Sequence, residues 1–247
     1  MGRVSGKVAI VTGAARGMGE AFARRMIDEG AKVMLTDVLD QLGQETAKVL
    51  GGNARYLHLD VTKEAEWKRV VAETEAAFGP VSVLVNNAGI SHYSPIEATS
   101  EADYRRVMDV NQVSLFLGMK SVLPSMKRAG GGSMINISSV LGKVGLPFSM
   151  PYVAAKFAVT GMSKSAAIEF APHNIRVNSV HPGFILTPMV TNSEGIDELI
   201  KNVEAITPQR RLGEPDEVAN VVLMLASDES RFSTGAEFTV DGGYTCQ

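Results

Sequence analysis

The sequence holds one cysteine, Cys246, and one tryptophan among 247 residues, and aromatics make up 6% of it. A single cysteine cannot close an intrachain disulfide, so the thiol is expected to be free and nothing points to secretion. An excess of positive charge is also missing. Lys and Arg number 24 against 27 Asp and Glu, a net charge of -3, which argues against nucleic acid as a partner, because binding a phosphate backbone needs a basic surface. No apolar run reaches the roughly 18 residues that span a bilayer. Residues 1–6 have no signal-peptide core, so no membrane partner and a cytoplasmic location are expected. The four histidines, His58, His92, His173 and His181, lack metal-ligand spacing, and no metal is expected.

What is present is 45% hydrophobic residues in a chain long enough to bury the core of one large α/β domain. The key stretch is Val8-Ala-Ile-Val-Thr-Gly13-Ala-Ala-Arg16-Gly17-Met18-Gly19, an apolar strand that breaks into glycines and becomes a helix. Glycines allow a tight turn and close backbone approach to a pyrophosphate, and the helix start offers unpaired N–H groups and a positive dipole end. That combination marks a dinucleotide site.

Strand and helix then alternate. Val8–Val11, Lys32–Thr36, Arg55–Leu59, Val81–Val85, Ser133–Ile137, Ile175–Val180 and Glu237–Val240 read as strands. Helical patterns cover Gly17–Glu29, Leu39–Leu50, Glu64–Phe78, 101–128, Tyr152–Phe170 and Glu214–Ala226. Residues 184–212 have no clean period and carry Pro188, Gly195 and Pro208; they are expected to form a substrate lid with one short helix. The alternation predicts a single-domain Rossmann fold, a doubly wound seven-stranded parallel sheet with helices on both faces. Ligands bind at the carboxyl ends of such strands. There the sequence has Gly13, Asp37, Asp60, Asn86–Gly89, Ser138-Ser139 and Pro182-Gly183.

Asp37 lies eighteen residues past Gly19, about where an acid binds the adenosine ribose. A 2′-phosphate there meets a like charge, and no basic residue follows within Val38–Gln41, so NAD(H) is expected over NADP(H) despite Arg16 in the turn. Tyr152 and Lys156 stand at i and i+4 on one helix face. A tyrosine acid/base near neutrality needs its pKa lowered by about three units, roughly 4 kcal/mol, and a nearby Lys⁺ is one source. Ser139 precedes the pair and can bond a substrate oxygen. Asn111 interrupts an apolar helix face and can hold a proton-relay water.

Taken together, Thr12-Gly13-x-x-x-Gly17-x-Gly19, Asn86-Asn87-Ala88-Gly89, Asn111, Ser139, Tyr152-x-x-x-Lys156 and Pro182-Gly183 resemble the short-chain dehydrogenase/reductase family across nearly the whole chain. The resemblance implies that Tyr152 is the acid/base, Ser139 polarises the carbonyl, Lys156 binds the nicotinamide ribose and lowers the tyrosine pKa, and Asn111 completes the relay. It further implies cofactor contacts from Gly13, Arg16, Gly17, Met18, Gly19, Asp37, Asp60, Val61, Asn87, Ala88, Gly89, Tyr152, Lys156, Pro182, Gly183, Ile185 and Thr187. A homotetramer built on the helices near 101–128 and 152–170 and on the last strand is implied as well.

Stretches such as Thr36–Asp40, His58–Thr62, Gly118–Lys120 and Val180–Gly183 are similar to the hydroxysteroid dehydrogenases of that family. The expected substrate is therefore a secondary alcohol or ketone, hydroxysteroid or similarly apolar, with Phe148, Met150, Phe184 and Met189 near its pocket and His92 and Tyr93 at the rim. Two rivals are a 3-oxoacyl-thioester reductase, against which Asp37 weighs, and a non-catalytic nicotinamide sensor. The sensor has no use for Ser139, Tyr152, Lys156 and Asn111 together.

Overall fold

The computed structural model describes residues 2–191 and 196–246. Its strands are β1 (Val8–Thr12), β2 (Lys32–Asp37), β3 (Ala54–His58), β4 (Val83–Asn86), β5 (Gly132–Ile137), β6 (Ile175–Pro182) and β7 (Glu237–Val240). They form one sheet in the order β3-β2-β1-β4-β5-β6-β7, with every pairing parallel. The strand order reverses direction between β1 and β4, which opens a crevice at their carboxyl ends.

Nine helices pack around the sheet among the described residues: α1 (Gly17–Asp28), α2 (Asp40–Leu50), α3 (Glu64–Phe78), α4 (Glu101–Met108), α5 (Ser114–Arg128), α6 (Met150–Phe170), α7 (Pro188–Thr191), α8 (Ile196–Ile206) and α9 (Pro215–Ala226). Alternation along the strands builds two cores. Ala9, Val11, Val33 and Leu35 face Phe22 and Met26 of α1 and Val218 and Val222 of α9. Val8, Ile10, Met34 and Leu84 face Trp67 of α3, Val122 of α5 and Phe170 of α6. Burying each such side chain contributes about 1.5–3 kcal/mol. The strands thus read as continuous apolar runs because both faces are covered.

Three expectations needed correction. The helical pattern over 101–128 is two helices, α4 and α5, joined by a π turn at Asp109–Val113. The cause is local: Asn111 Nδ2 donates to Val107 O at 2.9 Å, so a side chain competes for the carbonyl that the i→i−4 ladder uses. β4 starts at Val83 rather than Val81, because Val81 N donates to Ser125 Oγ at 2.9 Å instead of to a strand. The segment 184–212 carries two helices, α7 and α8, not one; its residues 192–195 lie outside the described set. The excursion is closed at its base by Leu186 N to Gly213 O (2.8 Å) and Gly213 N to Phe184 O (2.9 Å).

Candidate active site

The turn after β1 is built as its glycines require. Gly13 and Gly17 have φ of 64° and 63°, in the left-handed region where a side chain is strained. At Gly19 space decides: a Cβ there would stand 2.1 Å from Gly13 O, so only glycine lets α1 start against the turn. Asn87 fastens this turn to the end of β4. Its Nδ2 donates to Thr12 O at 2.9 Å and to Gly13 O at 3.2 Å, while Asn87 N and Ala88 N both donate to Thr12 Oγ1.

A cleft of about 400 Å³ runs from this turn along the sheet edge. Gly13, Arg16, Gly17, Met18, Asp37, Asp60, Val61, Asn87, Ala88, Gly89 and Thr187 all line it, as the sequence led us to expect. Val38, Leu39 and Met189 line it too and were not among the expected cofactor contacts; the signal available was that Val38 and Leu39 are apolar residues directly after a strand end. The Asp37 carboxylate accepts from Ala15 N at 3.1 Å, Val38 N at 2.8 Å and Leu39 N at 3.2 Å. Asp60 Oδ1 accepts from Thr62 N at 3.0 Å and Thr62 Oγ1 at 2.7 Å. Partial burial acts against its ionisation, but those bonds outweigh it and hold the carboxyl below its usual range.

Not every expected contact falls in this cleft. Gly19 is buried beneath the turn. Ile185, 5% exposed, and Phe184 line a separate cavity between the base of the 184–212 segment and the end of β7. Phe184 also packs edge-on against Tyr244 at 5.5 Å, so it drops out of the expected substrate set. Pro182 ends β6, and Gly183 N donates to Val240 O at 2.9 Å.

The candidate reacting side chains meet at the end of β5 and the start of α6. Ser139, 8% exposed, follows β5, and its Oγ accepts from Leu141 N at 3.1 Å. The Tyr152 phenol lies beside the Ser139 side chain, which pulls its pKa down. Lys156, 3% exposed, lies beneath with Nζ 5.3 Å from the Tyr152 ring centroid and donates to Ile137 O at 2.9 Å. One turn of helix and the end of one strand therefore place all three.

The expected lowering of the phenol pKa is not produced by the chain's own residues. Burial pushes Tyr152 up to about 12, against a smaller downward pull from the Ser139 hydrogen bond. Burial likewise pushes Lys156 down to about 8. Both groups are taken out of water, which disfavours whichever form is charged. Asn111, wholly buried, donates from Nδ2 to Ile90 O and Val107 O, each at 2.9 Å, and accepts from Ile90 N at 3.2 Å. Its side chain is a clamp on the loop after β4.

Tyr152 and Lys156 do not line the cleft themselves; a cleft behind a glycine turn at the strand crossover, with a serine, a tyrosine and a buried lysine gathered after β5 on the same edge of the sheet, points to a nicotinamide-dependent oxidoreductase. Comparison with known proteins gives the same class. A family model described as enoyl-(acyl carrier protein) reductase matches residues 13–245. The 3-alpha-(or 20-beta)-hydroxysteroid dehydrogenases of Mycobacterium bovis and Mycobacterium tuberculosis are 50% identical over 242 residues, 98% of this chain and 90% of theirs. The NADP-dependent (R)-specific alcohol dehydrogenase of Lentilactobacillus kefiri is 45% identical over 250 residues, 99% of each chain. Cyclopentanol dehydrogenase of Comamonas testosteroni is 42% identical over 248 residues, again 99% of each.

The chain belongs to the short-chain dehydrogenase/reductase family. It is an oxidoreductase of secondary alcohols and ketones that uses a nicotinamide cofactor. No described helix is long and apolar enough to cross a membrane.

Proposed function

We propose that the chain transfers hydride between NAD(H) and an apolar secondary alcohol or ketone, with Tyr152 as the acid/base. The observation that carries this is the Tyr152 ring 5.3 Å from Nζ of the buried Lys156, with the Ser139 side chain beside the phenol. The glycine cradle and the cleft fit a dinucleotide, which Gly13, Gly17, Asp37, Asn87 and Thr187 would hold. A bound nicotinamide supplies or takes up the hydride and, when oxidised, brings a positive charge beside the phenol.

In the reducing direction Tyr152, kept protonated by burial, donates its proton to the substrate oxygen while Ser139 donates a hydrogen bond to that oxygen. Lys156, fixed by Ile137 O, stabilises the phenolate left behind and holds a ribose hydroxyl. Both Asn111 amide hydrogens are engaged, so its main-chain carbonyl in the π turn is what it offers a relay water. Asp37 supports NAD(H), because its carboxylate lines the cleft at the end of β2, where a 2′-phosphate would meet a like charge.

The flanks of the site support an apolar substrate. Tyr93, Phe148, Met150 and Met189 are 69%, 50%, 51% and 48% exposed, and the Tyr93 and Phe148 rings meet edge-on at 5.6 Å. Phe148 has φ of 63°, a strained conformation for a bulky residue, and its carbonyl accepts from Ser94 N at 2.8 Å. His92 Nε2 is buried with no protein partner, which leaves it open to a substrate oxygen or a water. Residues 184–212 serve as the substrate lid in this reading.

Phe116, Phe157 and Ile168, 50%, 46% and 80% exposed on α5 and α6, support a homotetramer joined through those helices, and sedimentation of the purified protein tests it. A cytoplasmic location is in keeping with this reading. A panel of secondary alcohols, ketones, steroids and acyl thioesters, read by NADH absorbance, tests the activity. Turnover of acyl thioesters with none of the ketones would favour the 3-oxoacyl-thioester reductase instead.

A further inference from the structure

His181 is wholly buried and stands outside the hydride and proton path, yet its ring is tied to that path at one remove. It follows Ser179 by two residues on β6, so both side chains leave the same face of the strand, and its Nε2 lies 2.9 Å from Ser179 Oγ. Its Nδ1 lies 3.0 Å from the main-chain oxygen of Ser139. A carbonyl oxygen only accepts, so Nδ1 carries the hydrogen, and in the neutral ring Nε2 accepts from the Ser179 hydroxyl. The same Ser139 oxygen accepts from Gly142 N at 2.9 Å, and the preceding Ser138 N donates to Val180 O at 2.8 Å. The Ser139 backbone is thus gripped on both sides, and the histidine supplies the only side-chain donor to its carbonyl among the described residues.

We propose that His181 is a positioning residue, which aims the Ser139 hydroxyl at Tyr152 and the substrate oxygen by fixing the Ser139–Val140 peptide plane. This rests on the roles given above to Ser139 and Tyr152. The charges around the ring leave it neutral. Burial is the largest influence holding it below the usual histidine range; the bond to Ser139 pulls upward but is outweighed, and Lys143 and Lys156 act with burial. Glu237 on β7 pulls the other way from 3.9 Å, but it is already paired with Lys143 at 3.2 Å and Lys164 at 2.7 Å. Protonation would leave the Nδ1–H in place, so the device is geometric and does not depend on titration.

Substitution separates this role from simple core filling. In His181→Asn the amide Nδ2 stands where Nδ1 stands, bonded to Cγ, so the donor to Ser139 is kept. His181→Gln and His181→Leu lose it. We expect Gln and Leu to lower kcat for ketone reduction by about ten- to a hundredfold, the scale of a misplacement near 1 Å, with NADH affinity unchanged. Asn should recover most of that loss at a melting temperature similar to that of Gln.

In alcohol oxidation, where Tyr152 acts as the base and must be deprotonated, the rising acidic limb of the pH profile should move to higher pH in the Gln variant, because the Ser139 hydroxyl that pulls the Tyr152 pKa down is misaligned. On a Ser139→Ala background His181→Gln should cost nothing further, since coupled residues are not additive. If Gln and Leu do not fold, Ser179→Ala frees the far side of the ring and should give the same pattern more weakly. Equal impairment by Asn and Gln, or a full additional loss on the Ser139→Ala background, overturns the proposal. Undiminished turnover by Ser139→Ala itself would overturn the serine's role, and this inference with it.

Discussion

Asp37→Asn should narrow the preference for NAD(H) over NADP(H) that we propose for the native enzyme. The native carboxylate is held by three main-chain donors, Ala15 N, Val38 N and Leu39 N, at 2.8–3.2 Å. It cannot swing aside for a 2′-phosphate without giving up all three. A phosphate seated about 4 Å away meets a repulsion of roughly 4 kcal/mol per charge pair at an effective dielectric near 20, on the order of a thousandfold in affinity. Arg16 lines the same cleft and is exposed. A solvated pair of that kind returns only about 0.2–1 kcal/mol, and a direct charge-assisted hydrogen bond about 1.5–3. The net preference is therefore roughly 1–4 kcal/mol, about five- to a thousandfold in kcat/KM.

Both cofactors should be compared at one pH and ionic strength with the same ketone. Asn removes the charge, and its amide also turns a donor toward Ala15 N, so some loss with NAD(H) is expected alongside the gain with NADP(H). A native kcat/KM for NADP(H) equal to or above that for NAD(H) refutes the argument, as does an Asn variant with an unchanged ratio.

Tyr152→Phe should lose nearly all turnover while dinucleotide affinity, measured by NADH fluorescence, stays close to native; retention of more than about a few per cent of kcat speaks against the acid/base role. In the protein alone the Tyr152 phenol, raised to about 12, should stay protonated through neutral pH, and an ultraviolet phenolate signal should appear at lower pH once NAD is added; no such signal, or the same one in Tyr152→Phe, counts against that picture. Gly19→Ala, which sets a methyl against Gly13 O, should cost on the order of 1–3 kcal/mol or more, read as a lower melting temperature and weaker NADH binding; a native-like protein would show that the turn has room. Amide exchange within 184–212 should slow when cofactor and a ketone are both bound, and exchange that is slow in the free protein and unaffected by ligands would remove the lid.

How much of this was legible varies by residue, for physical reasons. The glycine turn could be read because its requirement is local: a positive φ at Gly13 and Gly17 belongs to two residues and their neighbours. Tyr152 and Lys156 were readable as a pair because helical geometry alone puts i and i+4 together. The π turn at Asp109–Val113 was not, since a run of apolar residues at helical spacing carries no mark of one extra residue in a turn; only the side-chain bonds of Asn111 to Val107 and Ile90 explain it. The second helix of the 184–212 segment was hidden by breakers that mark its ends rather than its absence.

The sequence by itself determined the alternation of strands and helices, the phosphate turn, the acid after β2 and the order of Ser139, Tyr152 and Lys156, because each is set by local sterics or by fixed spacing. Only the tertiary structure decided which way those groups are poised. Burial from several elements at once sets the Tyr152 and Lys156 pKa values in the opposite sense to the catalytic need. The contact of His181 with the Ser139 carbonyl joins residues 42 positions apart, through strands β5 and β6 lying side by side, and no local rule of sequence encodes that adjacency.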